Sequence, residues 1–232
     1  MTTDVEFGGR AFAAFLFDMD GTLLTSIEAA ERVWSRWAAG HGLDVAAFLP
    51  TLHGKRAVDT IRQLGLPGVD ADAEADKVTE AEIADVEGVR EIGGAGAFLA
   101  SLPPDRWAIV TSAPRALALA RLEAAGLTPP AVFVTADDVA IGKPAPDCYL
   151  LAAKRLGVSA SDCLIFEDAP AGILAAERAG AAVLVIRATH TAPLAGPHPG
   201  VDDYAGLGAD VAADGGLILR RADRARPAAR SA

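Results

Sequence analysis

The chain is poor in cysteine, short of positive charge and without a long hydrophobic run, and each shortage removes a class of function. Only Cys148 and Cys163 occur in 232 residues, and they lack the spacing of metal-ligand pairs. That excludes a disulfide scaffold and a cysteine-built metal site, and reads as two reduced, buried thiols of a cytoplasmic protein. No apolar stretch reaches the roughly 18 residues of a membrane span. The first one, Phe12 to Phe17, ends in Asp18 and is too short for a signal peptide. With 21 Lys and Arg against 31 Asp and Glu, the net charge is −10 and the pI about 4.8. No general nucleic-acid binder has that balance, although it leaves room for a local cationic pocket.

What is present is ample apolar material: 51% of residues are hydrophobic, enough for one large domain or a domain plus an insert. Strand-type runs fall at Phe12–Phe17, Trp107–Thr111, Val132–Thr135, Cys163–Phe166 and Ala182–Ile186. Helical patterns at Arg115–Ala125, Pro146–Leu156 and Ala171–Ala179 separate them, stopped by Gly126, Gly157 and Gly180. Such alternation predicts an α/β fold with a parallel sheet covered on both faces, where ligands gather at the carboxyl ends of the strands. Between the first two strands the pattern changes. Residues 26 to 88 carry helical stretches at Ile27–Gly40, Lys55–Leu64 and Ala73–Val86 and no convincing strand, which reads as an inserted helical subdomain hinged near Thr25–Ser26 and Gly88–Ile92. The Arg-rich tail has no core pattern and reads as a frayed end over residues 223–232.

The stretch "FLFDMDGTLLTS" sets Asp18 and Asp20 directly behind a buried run. Two like charges there cost free energy unless a cation lies opposite. Asp18 is an anion at neutral pH and needs no base to attack phosphorus. Asp20 sits on the same side to protonate a leaving oxygen and later to take a proton from water. Gly21 lets backbone N–H groups approach a phosphate. An EF-hand also starts D-x-D, but the Gly and Glu positions and the preceding strand do not fit it. A pair of solvated loop aspartates stays open on this stretch alone. "AIVTSAP" adds the hydroxyls of Thr111 and Ser112 ahead of a helix, "IGKPAPD" adds Lys143, and "LIFEDAPAGI" adds Glu167 and Asp168, an acidic pair apt for Mg²⁺. Singly these read as a cap, a surface lysine and a helix-start acid. Together they balance: a divalent metal on Asp18 and Asp168, with Lys143 opposite, offsets the repulsion between carboxylates and a phosphate.

"DMDGT", Thr111 after "AIV", "GKPAPD" and "FEDAPAGI" resemble, in order, the four motifs of the haloacid-dehalogenase superfamily of phosphotransferases, over residues 12 to 187. The resemblance implies a Rossmann-like core spanning 1–25 and 89–222, an α-helical cap over 26–88, and dependence on Mg²⁺. It implies that Asp18 is the nucleophile and Asp20 the acid/base, that Thr111, Ser112 and Lys143 bind phosphate, and that Asp18, the Asp20 carbonyl and Asp168 bind metal with Glu167 behind them. The founding dehalogenases lack the second aspartate, so its presence speaks against dehalogenation.

"ERVWSRWAAGHGL", "HGKRAVDTI", "RWAIVTS" and "VFVTADDVAIGKPAPD" are similar to the sugar and polyol phosphatases within that superfamily. The expected partner is therefore a small phosphorylated sugar or polyol, handled by a monomer with no nucleic acid and no membrane. In the cap, His53, Lys55, Arg56 and Glu82 are the residues placed to read it. A mutase resembling β-phosphoglucomutase shares the core motifs and a helical cap. It carries a cap histidine ten residues after the second aspartate, where this chain has Ala30. A phosphate sensor has no need of the nucleophile.

Overall fold

The first apolar run divides. Ala11–Phe12 (β1) and Ala14–Phe17 (β2) flank a bend at Ala13, in place of the single strand expected over Phe12–Phe17. The structure is a computed structural model that describes residues 7–190 and 196–221. The tail expected to fray at 223–232 lies outside the described residues.

Leu24–Thr25 (β3) pairs antiparallel with Arg90–Glu91 (β4), making a narrow neck. Between them come Ile27–Gly40 (α1), Val45–Phe48 (α2), Ala57–Leu64 (α3) and Ala71–Ala84 (α4). These helices bury a core of their own, built on Val33, Trp34, Phe48, Ile61 and Val78. The ends of α3 and α4 differ from the expected ones for local reasons. Lys55 lies in a bend and Arg56 is an extended N-cap, so α3 begins at Ala57, and Gly65 at φ 60° ends it. The Asp70 carboxylate accepts from the N–H groups of Asp72 and Ala73, which sets the start of α4 two residues early.

The rest of the chain alternates. Ala95–Ala100 (α5), Trp107–Val110 (β5), Arg115–Ala124 (α6), Val132–Val134 (β6), Asp147–Leu156 (α7), Cys163–Glu167 (β7), Pro170–Arg178 (α8), Ala182–Ile186 (β8) and Gly200–Val201 (β9) follow in order. Six strands form one parallel sheet in the order β6-β5-β2-β7-β8-β9, the expected α/β Rossmann-like fold. Alternation along β2 explains its two layers. Phe15 and Phe17 face an aromatic layer with Phe98, Phe166 and Tyr204, whereas Ala14 and Leu16 face a layer of small residues on α7 and α8 such as Ala152, Ala153, Ala175 and Ala176. Leu207–Val211 (β10) and Leu217–Arg221 (β11) form a hairpin that β1 extends to three strands. The sequence pattern beyond Ile186 contains no sign of that sheet.

Register decides where the chemistry lies. Phe17 stands opposite both Ile109 and Phe166, so β2, β5 and β7 end at one edge of the sheet. Among the described residues no helix is long and apolar enough to cross a membrane. Cys148 and Cys163 are free and buried.

Candidate active site

The strand ends deliver Asp18, Thr111, Glu167 and Asp168 into one place, and Lys143 lies beneath them. Its ammonium donates to Asp18 Oδ1 at 2.5 Å and to Glu167 Oε1 at 2.7 Å. Glu167 is fully engaged. Oε1 also accepts from the Tyr149 hydroxyl at 2.8 Å, and Oε2 accepts from the N–H groups of Asp168 and Ala169. A Cβ at Gly172 would collide with that carboxylate, so only glycine lets α8 approach so closely.

Asp168 is buried, and its Oδ1 accepts from Thr22 Oγ1 at 3.1 Å. The sequence reading gave Gly21 to a phosphate; the structure gives it to Asp168. A Cβ there would strike the Asp168 carboxylate, Gly21 holds φ 85°, and its N–H is already donated to Leu24 O at 2.7 Å.

One oxygen from each of Asp18, Glu167 and Asp168 falls within 4.8 Å of the others. Burial pushes the Asp18 carboxyl up to about 8, against the ordinary value that made it an anion at neutral pH in the sequence, with Lys143 pulling it back and Glu167 adding to the rise, so its ionised form calls for more positive charge than Lys143 supplies. Burial, then Glu167 and Asp18, likewise raise Asp168 well above the ordinary range. Burial disfavours the charged form of Lys143, but Asp18 and Glu167 outweigh it and hold its pKa high. One ammonium against three carboxylates leaves a deficit of positive charge. Hard oxygen donors with that deficit fit a divalent cation of the magnesium or calcium type. With Glu167 already saturated, Asp18 and Asp168 are the carboxylates with capacity left for such an ion.

Asp20 stands beside this cluster and is held from the side. Its Oδ1 accepts from Ser26 Oγ at 2.6 Å and from Arg121 Nη1 at 2.9 Å. Arg121, on α6, also donates through Nη2 to Glu82 Oε1 on α4 at 3.0 Å. Arg121 escaped the sequence reading because it resembles an ordinary polar position of an amphipathic helix. Burial raises Glu82 above the usual glutamate range, and Arg121 opposes that.

Thr111 Oγ1 accepts from Ala113 N at 3.1 Å, which leaves its own proton for an anion. The Ser112 hydroxyl donates to Gly54 O at 3.0 Å, tying core to helical unit, and the residue faces the same cavity as Thr111. A cavity of about 120 Å³ joins Asp18, Asp20, Thr111 and Asp168 to His53, Lys55, Glu82 and Arg121, and Ala30 also lines it. Arg56 does not line it, against expectation. Its guanidinium pairs with Asp59 at 2.6 Å and donates to the carbonyls of Val139 and Ala140 at 3.2 and 3.1 Å.

Comparison with known proteins agrees with this geometry. A family model for hydrolases, described as haloacid dehalogenase-like hydrolase, matches residues 12–180. The chain is 44% identical over 183 residues to hexitol phosphatase A of Escherichia coli, covering 77% of this chain and 85% of that protein. It is 35% identical to glycerol-1-phosphate phosphohydrolase 2 of Saccharomyces cerevisiae, over 76% of this chain and 75% of that one. Among solved structures, a mutant of CbbY from Rhodobacter sphaeroides in complex with xylulose-(1,5)bisphosphate superposes with a TM-score of 0.72 at 26% identity, covering 85% of this chain and 96% of that chain.

Proposed function

The chain belongs to the haloacid dehalogenase-like hydrolase family, and on that premise we propose that it is a Mg²⁺-dependent phosphatase of small sugar or polyol phosphates. Similarity to a hexitol phosphatase and a glycerol-phosphate phosphohydrolase supports the substrate class. The observation that carries the chemistry is the grip of Lys143 on Asp18 Oδ1 at 2.5 Å, with Asp20 at the same cavity floor. That grip leaves Oδ2 of Asp18 to react.

Asp18, Asp168 and the Asp20 carbonyl would hold the Mg²⁺, whose charge offsets the carboxylates and polarises the phosphoryl group. Asp18 Oδ2 attacks phosphorus, the bond from phosphorus to the sugar oxygen breaks, and Asp20 delivers its proton to that oxygen. An aspartyl phosphate remains. Asp20, now a carboxylate, takes a proton from water as the water attacks phosphorus, and the P–O bond to Asp18 breaks to release phosphate. Thr111 donates its hydroxyl proton to the phosphoryl oxygens, and Glu167 holds Lys143 in place. Residues 26–88 act as a cap over a core of 1–25 and 89–222, excluding water while the phosphoenzyme forms. Position 30, where the mutase resemblance calls for a histidine, brings Ala30 to the cavity wall, which favours hydrolysis over a mutase even though His53 lines the cavity elsewhere.

Phosphate release from a panel of sugar and polyol phosphates, with and without EDTA, tests the reading. Chelation should abolish release, and Asp18→Asn, which keeps the shape without the anion, should lower turnover by several orders of magnitude with the fold intact. Near-normal activity in Asp18→Asn would overturn the mechanism.

A further inference from the structure

Beyond Asp20 the cavity wall carries a buried chain of charges. Arg121 bridges Asp20 at 2.9 Å and Glu82 at 3.0 Å, and the side chains of Arg121 and Glu82 are each 7% exposed. One guanidinium thus answers two carboxylates, and Glu31 of α1 adds a third acid to the lining. Of the other cations nearby, Lys143 is taken by Asp18 and Glu167 and Arg56 by Asp59 outside the cavity, whereas Lys55 lines the cavity with only the neutral Gln63 as partner, so that Arg121 and Lys55 stand against Asp20, Glu82 and Glu31 and one acid is left over. A second anionic group on a substrate would meet surplus negative charge and no free guanidinium. A hydroxyl is served differently, because a carboxylate accepts its proton and the unused N–H groups of an arginine donate to its oxygen.

On the phosphatase reading above, we propose that the Asp20–Arg121–Glu82 chain selects monophosphate esters whose remote end is an uncharged polyol, with Glu82 accepting from a hydroxyl there, and rejects molecules with a second phosphate or a carboxylate. Glu82 is then a specificity residue and Arg121 a positioning residue that fixes both acids. The penalty on a second anion is electrostatic, the repulsion of unmatched like charges a few ångströms apart in a site less polar than water.

The experiment measures phosphate release by the full chain with Mg²⁺ on four compounds: a hexitol monophosphate, the corresponding hexitol bisphosphate, phosphoglycolate and p-nitrophenyl phosphate. In the wild type, kcat/KM for the monophosphate should exceed that for the bisphosphate and for phosphoglycolate by at least about tenfold. Glu82→Gln frees half of the Arg121 charge, so the bisphosphate-to-monophosphate ratio should rise at least about tenfold, while Glu82→Asp keeps the charge and should hold the wild-type ratio. If Glu82→Gln does not give a folded protein by thermal melting, Glu31→Gln should move the ratio the same way by roughly threefold. Equal use of monophosphate and bisphosphate by the wild type overturns the charge selection, as does an unmoved ratio in the glutamine variants or an equal rise in Glu82→Asp. Absence of phosphate release from all four compounds overturns the phosphatase reading itself, a different result from hydrolysis without selection.

Discussion

At the scale of single residues, polar groups in this interior are paired with few exceptions. Lys143 serves two carboxylates, Glu167 takes four donors, and Arg121 links two acids. Tyr204 departs from that rule: its hydroxyl is buried with no hydrogen-bond partner among the described residues, while its ring stacks on Phe166 with centroids 6.1 Å apart. An unsatisfied buried hydroxyl costs about 1–3 kcal/mol. Tyr204→Phe is therefore expected to be neutral or to stabilise by up to about 1 kcal/mol in urea unfolding. A loss of more than about 1 kcal/mol shows that the hydroxyl has a partner. Residue chemistry was legible in the sequence wherever it was local. Asp18, Thr111 and Asp168 follow apolar strands directly, so their placement at one sheet edge can be read from the chain. Arg121 cannot be read that way, because its partners Asp20 and Glu82 lie 101 and 39 positions away and burial alone makes the arrangement meaningful.

At the scale of elements, loops and helix ends do the joining. Arg56 precedes α3 and reaches the Val139 and Ala140 carbonyls, in the loop that leads to Lys143. Sequence reading made it a substrate contact because a cation at a helix start invites an anion; Asp59, three residues on, claims it instead. Arg56→Ala should thus lower kcat/KM by about tenfold on sugar phosphates and on p-nitrophenyl phosphate alike, the loss of hydrogen bonds from a charged group. A fall confined to sugar phosphates would restore the substrate-reading role. A second joint is Asp138, whose carboxylate accepts from Thr135 N and Oγ1 at 2.9 Å each and from Arg155 at 2.7 Å. Burial would raise it, but the bonds from Arg155 and Thr135 prevail and hold the carboxyl down at about 2, from 3.8. A lowered pKa stabilises the fold above pH about 4 and is lost as pH falls toward 2. Allowing for screening around the half-exposed arginines, Asp138→Asn should cost about 1 kcal/mol at pH 7 and clearly less at pH 2, where about half of the folded carboxyl is protonated, by chemical denaturation. A penalty unchanged by pH would assign the loss to shape rather than charge. The hairpin of β10 and β11 shows the limit of reading elements from pattern. Most of its residues are half-buried or exposed, so no apolar alternation announces it, and its pairing with β1 spans nearly the whole chain.

At the scale of the whole molecule, the parallel sheet concentrates negative charge at one edge, and the net charge of −10 offers no general compensation. The fold stores that imbalance in Asp18, Asp168 and Glu167, answered among the described residues by Lys143. Burial first, and the neighbouring carboxylates after it, hold Asp18 up at about 8 and Asp168 well above 3.8 when no metal is bound. The sign of the linkage follows. A carboxyl with a raised pKa in the folded state contributes stability below pH about 4, and that contribution disappears as pH climbs toward 8, because the unfolded chain releases the proton readily and the folded one must strip it from a buried acid. The chelated protein should therefore lose stability between pH 5 and 8. On the proposed metal site, Mg²⁺ would bind the folded state and favour the ionised carboxylates, so at pH 8 it should restore stability in proportion to the logarithm of its concentration. Asp168→Asn removes one buried acid and one oxygen of the proposed metal site, and should flatten both the pH slope and the Mg²⁺ response. Thermal unfolding at pH 5 and pH 8, with EDTA or with added Mg²⁺, measures all of this. A chelated protein equally stable at both pH values, or a wild type whose melting temperature ignores Mg²⁺, would show that these carboxylates carry no unbalanced charge and are not the metal's ligands.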